Sequence, residues 1–358
     1  MDMSSQRELL RANAASEIPQ LAVQITAALV GTGPALGFGD VVSKEVPKNI
    51  VIVIGTSGST GLSKEVAFSR ANLLASAQAS NAFIDAQIGA QWSLLLPMTH
   101  IAAVNVIIRS MEVGTLPIDL RNATGDFPKA DFTSIVPTQL FRALNSDERL
   151  LRHLQNARAV LVGGAALAPS LRSQAQSAGV NIIETYGMTE TCGGCIYNGQ
   201  ALTGVEFALT ESGLIKIRGP VVATKYLKSQ DLFISDDGWF ISNDLGEIIN
   251  GKLRVLGRAD DVIITGGENL SLTVIEATLS VRYPEIECAA FSIYDPQWGQ
   301  ALHLAIVGKV NETEVSHFLE AALGEIAKPK GIHQVESLPL LGIGKVNRLA
   351  LSEMVKNE

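Results

Sequence analysis

The chain is poor in cysteine, in positive charge and in long apolar runs, and each shortage excludes something. Three cysteines among 358 residues cannot frame a disulfide scaffold, and so few fit a reducing cytoplasmic compartment. Lys and Arg total 28 against 36 Asp and Glu, a formal charge of −8, with no basic cluster. Such a surface argues against nucleic acid and against anionic membranes as partners. The opening MDMSSQRELLRANAASE has no apolar core of a secretion signal. The longest apolar stretch, Ser93 to Ile108, is interrupted by Pro97, His100 and Asn105, which suits a buried strand leading into a helix rather than a membrane span. Repeats and low-complexity tracts are also missing. A soluble cytoplasmic α/β protein is the expectation.

What is present alternates. Residues 1–30 read as helical, followed by a Gly/Pro-rich connector at 31–40. Ile50–Ile54 is a continuous β-branched run, the pattern of a strand covered on both faces. Ser69 is placed to cap a helix through ANLLASAQASNAFI. Short apolar runs at 93–97, 132–136, 157–164 and 180–187 then alternate with helical stretches, as when helices pack on a parallel sheet. From Gly204 to Leu256 short strands and turns dominate, predicting an antiparallel β-rich subdomain. The last hundred residues read as a small α+β domain, with a boundary near 257–261.

The strongest local signal is Thr56-Ser57-Gly58-Ser59-Thr60-Gly61-Leu62-Ser63-Lys64, directly after the strand VIVIG. Hydroxyls, glycines and one lysine on a loop let backbone N–H groups approach phosphate oxygens. It is neither a Walker A loop, since no Gly-Lys-Ser/Thr follows, nor a G-x-G-x-x-G fingerprint. A second cluster, Glu184 to Thr191, reads as a strand-end loop whose tyrosine, threonines and carboxylates suit a base, a phosphate and a divalent cation. Cys192-Gly193-Gly194-Cys195 matches C-x-x-C, but without nearby histidines its glycines are better read as the floor of a ligand pocket. Asp244 ends a predicted strand, where it can accept ribose hydroxyls or cap an Asx turn. Gly257-Arg258-Ala259-Asp260-Asp261 sits at the boundary, and Lys345 lies on a glycine-flanked loop inside Pro339–Arg348.

Taken in this order, the motifs resemble the adenylate-forming superfamily of acyl-CoA synthetases, luciferases and non-ribosomal adenylation domains, over about residues 50 to 350. TSGSTGLSK, YGMTE, GRADDVIITGGEN and P-x4-G-K-x-x-R carry the resemblance. It implies an N-terminally shortened adenylate-forming fold: a large α/β domain, 1–257, with a layered parallel sheet and a β-rich subdomain, and a small mobile C-terminal α+β lid, 258–358. It also implies two half-reactions, in which a carboxylate attacks the α-phosphorus of ATP with Mg²⁺ present, and a thiol such as that of coenzyme A then takes the acyl group. Thr56, Ser57, Gly58, Ser59, Thr60, Gly61 and Lys64 would hold phosphates. Tyr186 and Gly187 would lie at adenine, Thr189 near the α-phosphate, and Glu190 on Mg²⁺. Asp244 and Arg258 would take the ribose, and Lys345 would bridge the substrate carboxylate and the α-phosphate. Asp260 matches the hinge, and Gly266 with Gly267 the thiol channel.

The chain departs from the superfamily pattern in three places. Only 55 residues precede the phosphate loop, Ser242-Asn243-Asp244 stands where Thr-Gly-Asp is usual, and Leu272 stands where proline is common. None of these removes a catalytic group, so activity is expected. The short N-terminus and YGMTETCGGCIYNG are most similar to the o-succinylbenzoate–CoA ligase family of menaquinone biosynthesis, in its short actinobacterial-type form. That resemblance implies an acyl pocket drawn from Met98–Asn105, Gly163, Gly164, Ala165, Gly187 and Gly193, with His100 and Asn105 as polar partners of a second carboxylate. Ligases for another aryl or short acyl acid, or a non-catalytic nucleotide-binding relative, fit the same motifs. An apolar helical N-terminus left by the shortening could also pack against a second copy as a homodimer.

Overall fold

The computed structural model describes residues 6–56, 64–228, 234–341 and 345–356. Two sheets sandwich a layer of helices. The first sheet has six strands in the order Lys225–Tyr226, Lys64–Ser69, Ile50–Thr56, Ala35–Gly39, Gln6–Arg11 and Glu45–Pro47. Its central three, 6–11, 35–39 and 50–56, are parallel, and Lys64–Ser69 returns antiparallel. The second has seven strands, Gln200–Ala201, Gly193–Tyr197, Ile182–Met188, Ala159–Val162, Phe132–Ile135, Trp92–Leu94 and Ile118–Asp119, of which the last five are parallel.

Between the sheets lie the helices Ile18–Val30, Arg70–Phe83 and Ile101–Glu112, joined to both in one large apolar cluster. The outer face of the second sheet carries its own cluster with the helices Pro137–Asn145, Glu148–Asn156 and Pro169–Ser177. Apolar cover on both faces is why the runs at 132–135 and 159–162 are continuous rather than alternating.

Two expectations need correction. Residues 6–11 form a strand, not a helix, and the connector contains the buried strand Ala35–Gly39 that pairs with it. The helix from Ile18 buries Ile18, Leu21, Ala22, Ile25 and Ala28 inside the chain and leaves Val23 and Val30 exposed. Ser69 does cap its helix. Its hydroxyl accepts from the Asn72 N–H while Asn72 Oδ1 accepts from the Ser69 N–H, a reciprocal cap.

The strands Glu206–Leu209, Leu214–Arg218, Phe240–Ile249 and Lys252–Arg258 form the antiparallel four-stranded sheet expected between Gly204 and Leu256. Beyond it, a further sheet built on Glu287–Asp295 and Gly299–Val307 packs the helices Leu272–Arg282 and Glu312–Leu323 on one face. The helix Arg348–Lys356 covers the other. No helix among the described residues is long and apolar enough to cross a membrane.

Candidate functional site

The sequence read as a strand-end loop is mostly strand. Ile182–Met188 carries Tyr186 and Gly187, and the following 3-10 turn, Thr189–Thr191, carries Thr189 and Glu190. The ladder to Gly193–Tyr197 shifts by a bulge between Tyr186 and Gly187. Only glycine fits there, because a Cβ at Gly187 would meet the Gly193 carbonyl oxygen at 2.1 Å. The buried Thr191 fixes the turn, accepting from the Met188 N–H at 2.9 Å and donating to the Gly193 carbonyl at 2.8 Å.

Tyr186 donates its hydroxyl to Asp244 Oδ2 at 2.8 Å. Asp244 lies within the strand Phe240–Ile249 rather than at its end, directly across the ladder from Arg258, whose guanidinium is 3.7 Å from the carboxylate. Ser242, at the departure position, accepts the Asp244 N–H at 3.1 Å and donates to the Ile215 carbonyl at 2.9 Å. The serine thereby props the carboxylate. Burial, then the charge of Asp244, pushes the Tyr186 phenol well above its ordinary value, so it remains a protonated donor. Arg258 also grips Asp260 with two bonds of 2.7 and 2.6 Å.

Ser57, Gly58, Ser59, Thr60 and Gly61 lie outside the described residues. The flanks, Thr56 and Lys64, pair across the hairpin, and the Thr56 hydroxyl donates to the Lys64 carbonyl at 3.2 Å. Tyr226 ties this arm to the acidic turn. Its hydroxyl donates to Glu190 Oε1 at 2.7 Å, and the Lys64 ammonium stands 5.1 Å from its ring centroid. Sequence reasoning missed Tyr226, since nothing in its neighbourhood marks it. Among the described residues no group of three or more His, Cys, Asp or Glu forms a ready metal cage. A single half-buried carboxylate, linked through Tyr226 to Lys64, fits Mg²⁺, which takes few protein ligands and completes its shell with phosphates and water.

On the neighbouring strand of the same sheet, Gly163, Gly164 and Ala165 follow Ala159–Val162, which pairs with Ile182–Met188. His100 stands at the start of the helix Ile101–Glu112, its Nδ1 2.8 Å from the Thr99 hydroxyl. Asn105 is fully buried and donates its amide to the Cys192 carbonyl at 2.6 Å, fastening the Cys192–Gly193 turn. One helical turn on is Arg109, which the sequence reading passed over. It is 4% exposed. Its Nη2 donates to the Tyr197 hydroxyl at 3.2 Å, it lies 5.5 Å from the Trp92 ring, and its Nε has no partner. The only sequence sign was a lone arginine in an apolar helical run. Cys192 and Cys195 are fully buried, and burial pushes both thiols up to about 12, which argues against a redox or zinc role.

In the C-terminal part, Gly266 and Gly267, at φ of 59° and 86°, make the tight turn between the strands Val262–Thr265 and Glu268–Ser271. The Trp298 ring backs Gly266, and the Lys330 ammonium lies 4.0 Å from that ring's centroid. Asp260 belongs to the 3-10 turn Ala259–Asp261. Lys345 begins the strand Lys345–Val346, paired with Leu341.

Residues 4–212 match the family model of the AMP-binding enzyme, and residues 275–345 match that of the AMP-binding enzyme C-terminal domain. The chain belongs to the AMP-binding enzyme family. Among relatives of this AMP-binding enzyme is a probable 2-succinylbenzoate–CoA ligase of Mycobacterium tuberculosis, 35% identical over 87% of this chain and 86% of the relative. The 2-succinylbenzoate–CoA ligase of Lactococcus lactis is 28% identical over 85% and 71%. Among solved structures, o-succinylbenzoate CoA synthetase (MenE) from Bacillus subtilis, in complex with the acyl-adenylate OSB-AMP, superposes with a TM-score of 0.75 at 22% identity, covering 92% of this chain and 80% of that one. The same synthetase with ATP and magnesium ion gives 0.75 at 21%, covering 96% and 83%. The fold is therefore the adenylate-forming fold.

Proposed function

We propose that this AMP-binding enzyme is an acid–CoA ligase that activates o-succinylbenzoate as its acyl-adenylate, releases pyrophosphate and transfers the acyl group to coenzyme A, a step of menaquinone biosynthesis. The 35% identity to the mycobacterial ligase over nearly the whole of both chains supports the activity. The observation that carries the choice of acid is Arg109. A buried guanidinium with an unpartnered Nε and no ion pair among the described residues is costly unless something supplies negative charge. An aromatic dicarboxylate does so: one carboxylate is activated, and the other reaches the cation beyond Asn105.

In this reading Tyr186 packs on adenine, while Asp244 and Arg258 take the ribose hydroxyls. Thr56 to Lys64 surround the β- and γ-phosphates, Thr189 meets the α-phosphate, and Glu190 holds Mg²⁺, which neutralises phosphate charge when bound. Lys345 places a cation between the attacking carboxylate and the α-phosphate, where charge is redistributed as the bond forms. Residues 1–257 are the body and 258–358 the lid, turning near Asp260. The separate apolar clusters of the C-terminal sheet support that division. The turn at Gly266 and Gly267, walled by Trp298, would line the path of the thiol arm.

The test is pyrophosphate release from ATP and Mg²⁺ with o-succinylbenzoate, benzoate, succinate or medium-chain fatty acids, each with and without coenzyme A. Release requiring o-succinylbenzoate, with thioester formed only when coenzyme A is added, is the expected result. Release with a different acid would remove the pathway assignment and keep the chemistry. Binding of ATP with no release for any acid would remove the enzyme reading.

A further inference from the structure

Two neighbouring aspartates on the turn Ala259–Asp261 face different arginines. Asp260 is held by Arg258, the last residue of the strand Lys252–Arg258. Asp261 instead lies 3.5 Å from Arg348 Nη1. Arg348 has two further partners. Its Nη2 donates to Glu276 Oε1 at 2.8 Å, and its Nε donates to the Ala290 carbonyl at 2.9 Å. Glu276 in turn accepts the Ala290 N–H at 2.9 Å. One planar guanidinium therefore joins the turn, the helix Leu272–Arg282, the strand Glu287–Asp295 and the start of the last helix. A fork of fixed geometry can do this where a flexible ammonium cannot.

The neighbouring residue extends the connection. The Asn347 N–H donates to the Pro339 carbonyl at 2.7 Å, closing the small hairpin of Leu340–Leu341 and Lys345–Val346. The Asn347 side chain accepts the Ala350 N–H at 3.1 Å and caps the last helix. Only two residues thus separate Lys345 from Arg348, whose side chain is anchored on the turn itself.

We propose that Arg348 is a positioning residue: through Asp261 and Glu276 it clamps the Ala259–Asp261 turn to the hairpin that carries Lys345, so that turn and lysine move as one piece. The clamp rests on the assignment of Lys345 to acyl-adenylate formation. It does not touch the reacting atoms. Its effect falls on the half-reaction that needs Lys345 in place and spares the one that does not.

The test separates the two half-reactions in the full chain. Acid-dependent ATP–pyrophosphate exchange reads the first, and thioester formation from isolated acyl-adenylate and coenzyme A reads the second. Asp261→Asn and Arg348→Met should lower the exchange kcat by about 10- to 100-fold, the scale of misplacing a reacting group by about an ångström. The ATP KM and the second half-reaction should stay within about threefold, a change worth well under one tenfold step of free energy. Arg348→Lys, which keeps the charge but not the fork, should recover part of the exchange. Asp261→Asn leaves the Arg348–Glu276 bond intact and guards against a variant that fails to fold. A parallel fall of both half-reactions, or no change in exchange, overturns the clamp. Lys345→Ala separates the two failures. If it abolishes exchange while Asp261→Asn and Arg348→Met do not, only the clamp is wrong. If it leaves exchange intact, the assignment of Lys345 is wrong and the clamp falls with it.

Discussion

The two walls proposed for the site are built on opposite principles. On the proposed nucleotide wall Tyr186, Asp244, Ser242 and Arg258 satisfy one another across adjacent strands. On the proposed acyl wall the buried Arg109 has only a hydroxyl and an aromatic face, with one nitrogen unpartnered. A ligand shared by a whole family can be met by a site that is already satisfied. A specific acid can be selected by leaving one charge for the ligand to complete, since an analogue lacking that charge leaves the cation buried and unpaired.

The largest effect should come from Arg109→Met. It removes a charge-assisted contact worth about 2–3 kcal/mol, so kcat/KM for o-succinylbenzoate should fall about 30- to 150-fold. Thermal stability should hold or rise, because an uncompensated buried charge has been replaced by an apolar side chain of similar length. Lower stability together with unchanged kinetics would make Arg109 part of the core rather than of the pocket.

On the satisfied wall a smaller loss is expected. Asp244→Asn should raise the KM for ATP about tenfold, about 1.4 kcal/mol, with little change for the acid. Tyr186→Phe, which deletes only the hydroxyl on Asp244, should cost about 1 kcal/mol or less. Equal losses from Asp244→Asn and Arg109→Met, measured for both substrates, would erase the contrast between the walls.

The smallest effect concerns pH. Burial raises the Glu276 carboxyl from its ordinary value to about 7, and Arg348 opposes this only in part. A raised folded-state value means that the folded chain binds the proton more tightly than the unfolded one. The stability it contributes is complete below about pH 4.5 and is lost as pH climbs through about 7. Melting temperatures measured from pH 5 to 8 should therefore show a decline that Glu276→Gln flattens. An unchanged slope in that variant would assign the decline to other groups.

Much of this was legible in the sequence where local chemistry and tertiary role agree. Ile50–Ile54 announced a doubly covered strand and Ser69 a cap, and the structure brings Tyr186, Asp244 and Arg258 together. The misreadings arose where partners decide conformation. QRELLR favours helix locally, yet it is drawn into a strand by pairing with Ala35–Gly39. The glycines of ALGFG looked like punctuation, but a Cβ on Gly39 would meet the Gly55 carbonyl oxygen at 2.7 Å, so the glycine permits close approach of two strands. Arg109 and Tyr226 draw their meaning from neighbours 88 and 36 residues away, and no local pattern encodes that.

The sealed cysteines have a consequence for a protein assigned to make a mixed anhydride. Such an intermediate acylates any thiolate within reach, and Cys192 lies at the turn beside the proposed acyl wall. Burial raises its thiol to about 12, so it stays protonated at neutral pH. Asn105 holds the backbone of that turn, and the side chain has no exposed surface. A buried, protonated thiol is a poor nucleophile, so in the proposed reaction the activated acyl group is left for a thiol that arrives from outside.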